Sequence, residues 1–182
     1  MSALPAPNTE LLAPLSLFRR KWAAPMPDFE WVDSAFLPEP YRTLLVHNGD
    51  MTSRLEAFHG GEIVLEVLHC EHTPIAYRRE VVLHMEATGM PIEYGAIEIH
   101  LEAFEGELRE LIVAARLPLG GLLNRFGIDY HSEPKAFIRL GADPVMREHF
   151  QLPDAGHFYG RCNVLLDSNN RELARIVELL RP

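Results

Sequence analysis

Residues 77–85 read Tyr77-Arg-Arg-Glu-Val-Val-Leu-His-Met85 and show the clearest strand alternation in the sequence. Side chains of a β-strand point alternately to its two faces, so every second residue shares a face. The more apolar of the two sets consists of Tyr77, Arg79, Val81, Leu83 and Met85. The pattern predicts a strand whose odd-numbered face is turned toward the core, and Arg79 is carried inward with it.

A second inward charge is predicted in the last strand, residues 173–180. Glu178 shares a face with apolar residues there, whereas Arg175 and Arg181 lie on the other face. An ionised side chain left unpaired in a core costs several kcal/mol, so such a group is paired, coordinated or functional. Two interpretations stay open at this point. In the structural interpretation, Arg79 and Glu178 form a buried ion pair or lie near water at strand ends. In the functional interpretation, they face a ligand.

The rest of the pattern predicts further strands and several short helices. Alternation and turn residues indicate strands at residues 62–70, 77–85, 93–102, 160–167 and 173–180. Capping residues and apolar spacing indicate helices at residues 50–58, 107–115, 120–126 and 143–150. Adjacent antiparallel pairs with helices inserted between them are typical of an α+β fold. We therefore expect a single antiparallel β-sheet with helices covering one face.

The first forty residues differ in composition from the rest. They contain seven prolines, a density that breaks regular elements. An amphipathic piece at residues 10–22 suits one helix, and its basic run Arg19-Arg-Lys21 is typical of a solvated helix face. We expect a proline-rich arm over residues 1–40, wrapped on one domain formed by residues 41–182.

Composition and charge exclude several classes of function. The 182 residues carry a formal net charge of −9, so we expect no nucleic-acid partner, which usually requires a basic excess. An anionic ligand stays open, because a few buried arginines can dominate a pocket. No membrane-length apolar run and no signal-peptide pattern occur, so we expect no membrane partner. Cys70 and Cys162 lack paired spacing and suit free thiols in the cytoplasm.

A metal site is not expected, although residues 69–72 read His-Cys-Glu-His. In a strand, His69 and Glu71 point to one side while the other two point away, so the four cannot converge. No Gly-x-Ser-x-Gly motif marks a nucleophile, and the glycines are too sparse for a nucleotide-binding loop. We expect neither a metal nor another cofactor.

Five short motifs follow one another along the chain. They are Asp50-Met-Thr-Ser-Arg-Leu-Glu, Tyr77-Arg-Arg-Glu-Val-Val-Leu, Leu117-Pro-Leu-Gly-Gly-Leu-Leu123, Tyr159-Gly-Arg161 and Val177-Glu-Leu-Leu-Arg-Pro182. Their order resembles that of the chorismate lyase family, also called chorismate–pyruvate lyase or 4-hydroxybenzoate synthase. The resemblance implies that family's fold and a cofactor-free elimination of pyruvate from chorismate, which gives 4-hydroxybenzoate.

The resemblance also implies roles for individual residues. Arg79 would grip a carboxylate, and Glu178 would meet a hydroxyl or ether oxygen of the ligand. Backbone amides at Met51, Leu119 and Gly120 would complete the pocket. Strand alternation selects Arg79 and Glu178 independently of the resemblance, and an arginine fork suits a carboxylate.

Two details concern the surroundings of this pocket. Arg161 begins a predicted strand beside it and is either a second carboxylate contact or a surface residue. The segment before the arginine strand is shorter than in the bacterial lyase, and Gly121 is an additional glycine. These differences concern the flaps over the ligand.

Three hypotheses about function remain open, and the oligomeric state is undetermined. The first is a lyase acting on chorismate. The second is a non-catalytic binding domain for a small anionic aromatic or pre-aromatic carboxylate. It is similar to the effector-binding domain of certain transcription regulators, but forty residues are too few for a winged DNA-binding domain and a linker. The third is an interaction protein in which Arg79 and Glu178 merely pair with each other.

Overall fold

The computed structural model describes residues 9–152 and 156–181. Residues 1–8 of the predicted arm and Pro182 of the closing motif lie outside the described residues. The strands are β1 (Phe29–Val32), β2 (Ile63–His72), β3 (Ala76–Met85), β4 (Pro91–His100), β5 (Tyr130–Gly141), β6 (His157–Asp167) and β7 (Glu172–Leu180). The helices are α1 (Ala13–Lys21), α2 (Tyr41–Leu45), α3 (Met51–His59), α4 (Gly106–Ala114), α5 (Leu119–Arg125) and α6 (Pro144–Phe150). None of these helices is long and apolar enough to cross a lipid bilayer.

The described strands form one antiparallel sheet in the order β1-β5-β6-β7-β4-β3-β2. Strands β2, β3 and β4 are neighbours in both sequence and space, and so are β5, β6 and β7. The two groups of three meet where β4 pairs with β7. The predicted α+β fold with a single antiparallel sheet is confirmed.

The sequence pattern does not predict two of the strands, β1 and β5. In β5 the alternating residues Ala136, Ile138 and Leu140 are buried, but Pro134 interrupts the run and cannot donate to a strand ladder. The register shifts there, between Pro134 and Ala136. Strand β1 has four residues and pairs with β5 alone. Part of the predicted arm is therefore the edge of the sheet.

Helices cover both faces of the sheet. The front face, onto which Arg79 and Val81 project, is covered by α2, α3, α4 and α5. The reverse face is covered by α1 and α6, which pack against Val82, Tyr94 and Val177. The cover extends beyond the one face that the sequence predicts, because the even-numbered positions of the central strands are also apolar enough to be buried.

The structure corrects the prediction that Arg19 lies on a solvated helix face. Its Nη1 lies 3.2 Å from Glu80 Oε1, and its Nη2 lies 2.7 Å from Asp143 Oδ2. Nη2 also donates to the Tyr94 hydroxyl at 2.9 Å. Since Glu80 points to the reverse face, the helix that covers it must bring a cation, and Arg19 is the one. This network fixes α1 and α6 to the back of β3 and β4.

Candidate functional site

A cavity lies between the front face of the sheet and the first residues of α3 and α5. Its volume is about 70 Å³, enough for several water molecules or one small organic molecule. Strands β3, β4, β6 and β7 supply its floor, since paired residues of adjacent strands point the same way. The residues that the sequence singles out all line it: Arg79, Glu178, Met51, Leu119, Gly120 and Arg161.

Arg79 is buried in the cavity wall with most of its guanidinium unpaired. The residue is 2% exposed, and its Nη2 donates to the carbonyl of Leu117 at 3.1 Å. Within the described part of the chain, neither Nε nor Nη1 has a hydrogen-bond partner. Burial lowers the pKa of Arg79, and the nearby Tyr77, whose ring centre lies 6.0 Å from the guanidinium carbon, opposes that shift. The guanidinium is a buried cation whose Nε and Nη1 donors are available to a ligand.

Glu178 pairs with Arg161 and not with Arg79. Arg161 is fully buried, and its Nε donates to Glu178 Oε2. Its Nη1 donates to the carbonyls of Leu45 at 3.2 Å and His47 at 3.0 Å. Arg161 is thus a core residue, and the ion pair that the sequence left open between Arg79 and Glu178 is absent. The role of Glu178 toward a ligand stays a prediction.

His47 lies beside this pair and is held neutral. Its Nε2 is 3.4 Å from Arg161 Nη1. Burial, and then the charge of Arg161, lower the pKa of His47 to about 4. A neutral imidazole can sit against the guanidinium without charge repulsion, so the connection between α2 and α3 closes over Arg161.

Glu93 is a further acidic residue of the cavity that the sequence analysis does not single out. It lies in β4, two residues before Gly95, and lines the cavity at 4% exposure. Its Oε2 has no hydrogen-bond partner among the described residues. Burial, and then the neighbouring Glu178, raise the pKa of Glu93 well above its usual range. The alternation that turns Gly95 and Ile97 inward contains Glu93 as well, so a signal for it exists in the sequence.

Asn163 and Ser132 also line the cavity and are missed by the sequence analysis. The Ser132 hydroxyl donates to Asn163 Oδ1 at 3.0 Å, while Asn163 Nδ2 has no partner within the described residues. Asn163 shares the inward alternation of Arg161 in β6, which could have revealed it. Ser132 could not be found, because its strand β5 is not predicted.

The starts of α3 and α5 meet at the cavity rim. Asp50 caps α3, since its carboxylate accepts from Ser53 N at 3.3 Å, and Met51 begins the helix. Leu119 begins α5, and Gly120 lets that helix come close: a Cβ there would lie 2.8 Å from Asp50 Oδ1. Free N–H groups at the start of α3 favour an anion nearby. The contact of these backbone amides with a ligand stays a prediction.

The buried charges of the cavity sum to a positive value. Arg161 and Glu178 cancel each other, and burial raises the pKa of Glu93 well above its usual range, which favours its uncharged form. Arg79 then contributes the one uncompensated buried charge on the described cavity walls. Several apolar side chains surround it: Leu65, Val81, Leu83, Ile97, Leu165 and Ile176. The site has the chemistry of a receptor for a small anion with an apolar body.

Comparison with known proteins gives relatives in structure alone. No protein-family model matches the chain, and no curated protein matches it. PhnF from Mycobacterium smegmatis is 11% identical with a TM-score of 0.59, over 92% of this chain and 93% of that chain. The effector domain of PhnF is 13% identical with a TM-score of 0.56, over 73% and 88% of the two chains. The ligand-binding domain of a proposed GntR-family transcriptional regulator from Bordetella bronchiseptica is 16% identical with a TM-score of 0.50, over 64% and 83%.

These likenesses bear on the fold and not on an activity, because the identities are low. The effector domains of GntR-family regulators share the chorismate lyase-like fold. The chain therefore has that fold, as the sequence motifs imply.

Proposed function

We propose that the protein is a non-catalytic binding domain for a small aromatic or pre-aromatic carboxylic acid. The observation that carries the proposal is the buried Arg79 guanidinium, two of whose nitrogen atoms have no partner among the described residues, in a cavity that apolar side chains also line. Nη2 donates one of its two N–H groups to Leu117, so a carboxylate can accept two parallel hydrogen bonds, one from the other N–H of Nη2 and one from an adjacent unpartnered nitrogen. The unpartnered Nδ2 of Asn163 adds a further donor.

Structural neighbours support binding without catalysis. The neighbours include the effector domain of PhnF and the ligand-binding domain of a proposed GntR-family transcriptional regulator. Transferred to this chain, that role needs a ligand held by the cavity and no chemical step. The net charge of −9 argues against a general affinity for nucleic acid, and a small anion stays open because the buried Arg79 acts locally in the cavity.

Ligand-induced stabilisation by 4-hydroxybenzoate tests the proposal. A ligand that binds only the folded protein raises the free energy of unfolding by about 2.7 kcal/mol at a hundred times its Kd. We expect that rise for the wild type and its loss for Arg79→Met. Without ligand, Arg79→Met should be about 1 kcal/mol more stable than the wild type, because a buried and largely unpaired cation is removed.

The neighbouring residue supplies a matched control. Arg78 lies on the same strand but projects to the other face, where it pairs with Glu98. Arg78→Met should keep the full response to 4-hydroxybenzoate. Equal stabilisation of the wild type and Arg79→Met by the ligand, in thermal unfolding, would contradict the proposal.

A chorismate lyase activity is the second candidate function. It is favoured by the fact that Arg79 and Glu178, the pair implied by the sequence motifs, line one cavity. The purified protein incubated with chorismate should then form aromatic product faster than the uncatalysed background, followed by absorbance, and Arg79→Met should not. Binding of 4-hydroxybenzoate without product formation would leave the non-catalytic role.

A further inference from the structure

Polar atoms without a partner converge on the cavity. Among the described residues, five buried side-chain nitrogen or oxygen atoms have no hydrogen-bond partner, and four of them belong to Arg79, Glu93 and Asn163. Such atoms are rare in folded proteins, because each gives up its bonds to water and gains none in return. The proposed function uses Arg79 and Asn163. Glu93 is left without a role.

Glu93 has no cation to pair with in the part of the chain that the structure describes. The cavity is lined by two arginines, and Arg161 is already committed to Glu178 and to backbone carbonyls. Arg79 lies in the register row of Ile97, four residues along β4 from Glu93, which is roughly 13 Å of strand. The two ends of the cavity floor therefore differ: a free cation stands at one end and an unpaired carboxyl group at the other.

The charged groups around Glu93 come from three elements. Glu178 on β7 and Asp50 at the start of α3 oppose its ionisation, while Arg161 on β6 favours it. Burial is the largest influence and acts with the two acids, so the pKa of Glu93 is raised well above its usual range. This shift favours the protonated carboxyl group, which can donate an O–H hydrogen bond.

A protonated carboxyl group prefers an uncharged acceptor in this setting. A hydroxyl, ether, carbonyl or amide oxygen can accept from Glu93 without bringing a further charge into the buried cavity. A second carboxylate of the ligand would be buried beside Glu178, whose own cation is already used.

We infer that Glu93 sets the specificity of the site: the cavity takes a small acid with one carboxylate at Arg79 and an uncharged oxygen at Glu93, and discriminates against a dicarboxylate of the same shape. The inference rests on the proposed function, since it concerns the far end of a ligand held at Arg79. It also favours an acid such as 4-hydroxybenzoate over chorismate, which carries two carboxylates.

The proton on Glu93 makes binding depend on pH. If the ligand needs the protonated form, its affinity is full below the pKa of Glu93 and falls as the pH rises through it, by up to about tenfold per pH unit. A glutamine at this position donates a similar hydrogen bond and does not titrate, so Glu93→Gln should bind with little pH dependence.

Benzoate and two of its para-substituted derivatives test the inference by calorimetry. Benzoate has the Arg79 end alone, 4-carbamoylbenzoate adds an uncharged oxygen, and terephthalate is its dicarboxylate counterpart. For the wild type at neutral pH we expect 4-carbamoylbenzoate to bind at least about tenfold more tightly than terephthalate. Its affinity should fall toward alkaline pH in the wild type and in the control Glu98→Gln, whose carboxyl group lies on the other face of β4, but not in Glu93→Gln.

Proton uptake gives a measurement that needs no variant. At alkaline pH, binding of 4-carbamoylbenzoate to the wild type should take up a proton, seen as different heats in two buffers of unlike ionisation enthalpy. Equal affinity for terephthalate, absence of proton uptake, or a Glu93→Gln profile that follows the wild type overturns the inference. Benzoate binding that depends on Arg79 keeps the proposed function in those cases. Failure of benzoate to bind, or equal binding to Arg79→Met, overturns both.

Discussion

Replacing Arg161 with methionine should lower the free energy of unfolding by about 3–5 kcal/mol, measured by urea titration. The change leaves the Glu178 carboxylate buried without its cation, and the carbonyls of Leu45 and His47 lose their shared donor. A buried charge without a partner is among the most destabilising changes that one substitution can make.

Two further variants separate the buried charge from other effects of the substitution. Arg175→Met removes a partly exposed arginine paired with Glu172, so it should cost about 1 kcal/mol or less. Removing both charges in Arg161→Met/Glu178→Leu should recover much of the lost stability, because the uncompensated carboxylate is gone. If Arg161→Met were as stable as Arg175→Met, the buried Glu178 carboxylate would not depend on Arg161 for its stability.

Replacing Gly160 with alanine should destabilise the protein by about 3 kcal/mol or more. A Cβ at this position would fall inside the van der Waals radius of the Glu178 carbonyl oxygen on the neighbouring strand and 2.6 Å from Leu179 Cδ2. The first of these atoms is backbone and cannot rotate away, so β6 and β7 would have to separate. That movement would also disturb the ion pair of Glu178.

Gly121→Ala is the matched control for this variant. Apart from its chain neighbours and the backbone of its own helix, no atom of the described residues lies within 4 Å of a Cβ at Gly121, and the residue is inside α5. Alanine should stabilise the helix there by about 0.5–1 kcal/mol. Opposite signs for the two glycine-to-alanine changes are expected in thermal and urea unfolding. A tolerated Gly160→Ala would mean that the β6–β7 pairing is looser than the structure has it.

Alternation along single strands is enough to predict the main contents of the site. It turns Arg79 and Glu178 inward, and the same rule applied to β4 turns Glu93 inward. The partner of Glu178 could not be found in this way, because pairing depends on register between strands. In the β6–β7 hairpin Leu166 pairs with Glu172 but Leu165 pairs with Ala174.

This bulge changes which residues face each other farther along the hairpin. Counting back from the turn without it would place Arg161 opposite Val177, whereas the bulge places it opposite Glu178. The contacts on the reverse face of the sheet are likewise not predictable from local sequence, because they join residues far apart in the chain. The burial of Arg19 follows from Glu80 and Asp143, which are distant in sequence, and no local pattern reports such a meeting.

The pairing of β4 with β7 has a consequence for when the site exists. Arg79 and Glu93 belong to the run β2–β4, whereas Arg161, Asn163 and Glu178 belong to the run β5–β7. Neither half of the chain carries all of these cavity residues. The cavity is therefore complete only when β4 pairs with β7. Because β4 and β7 are far apart in the chain, bringing them together costs loop-closure entropy. A ligand that contacts residues of both halves would stabilise the pairing of β4 with β7.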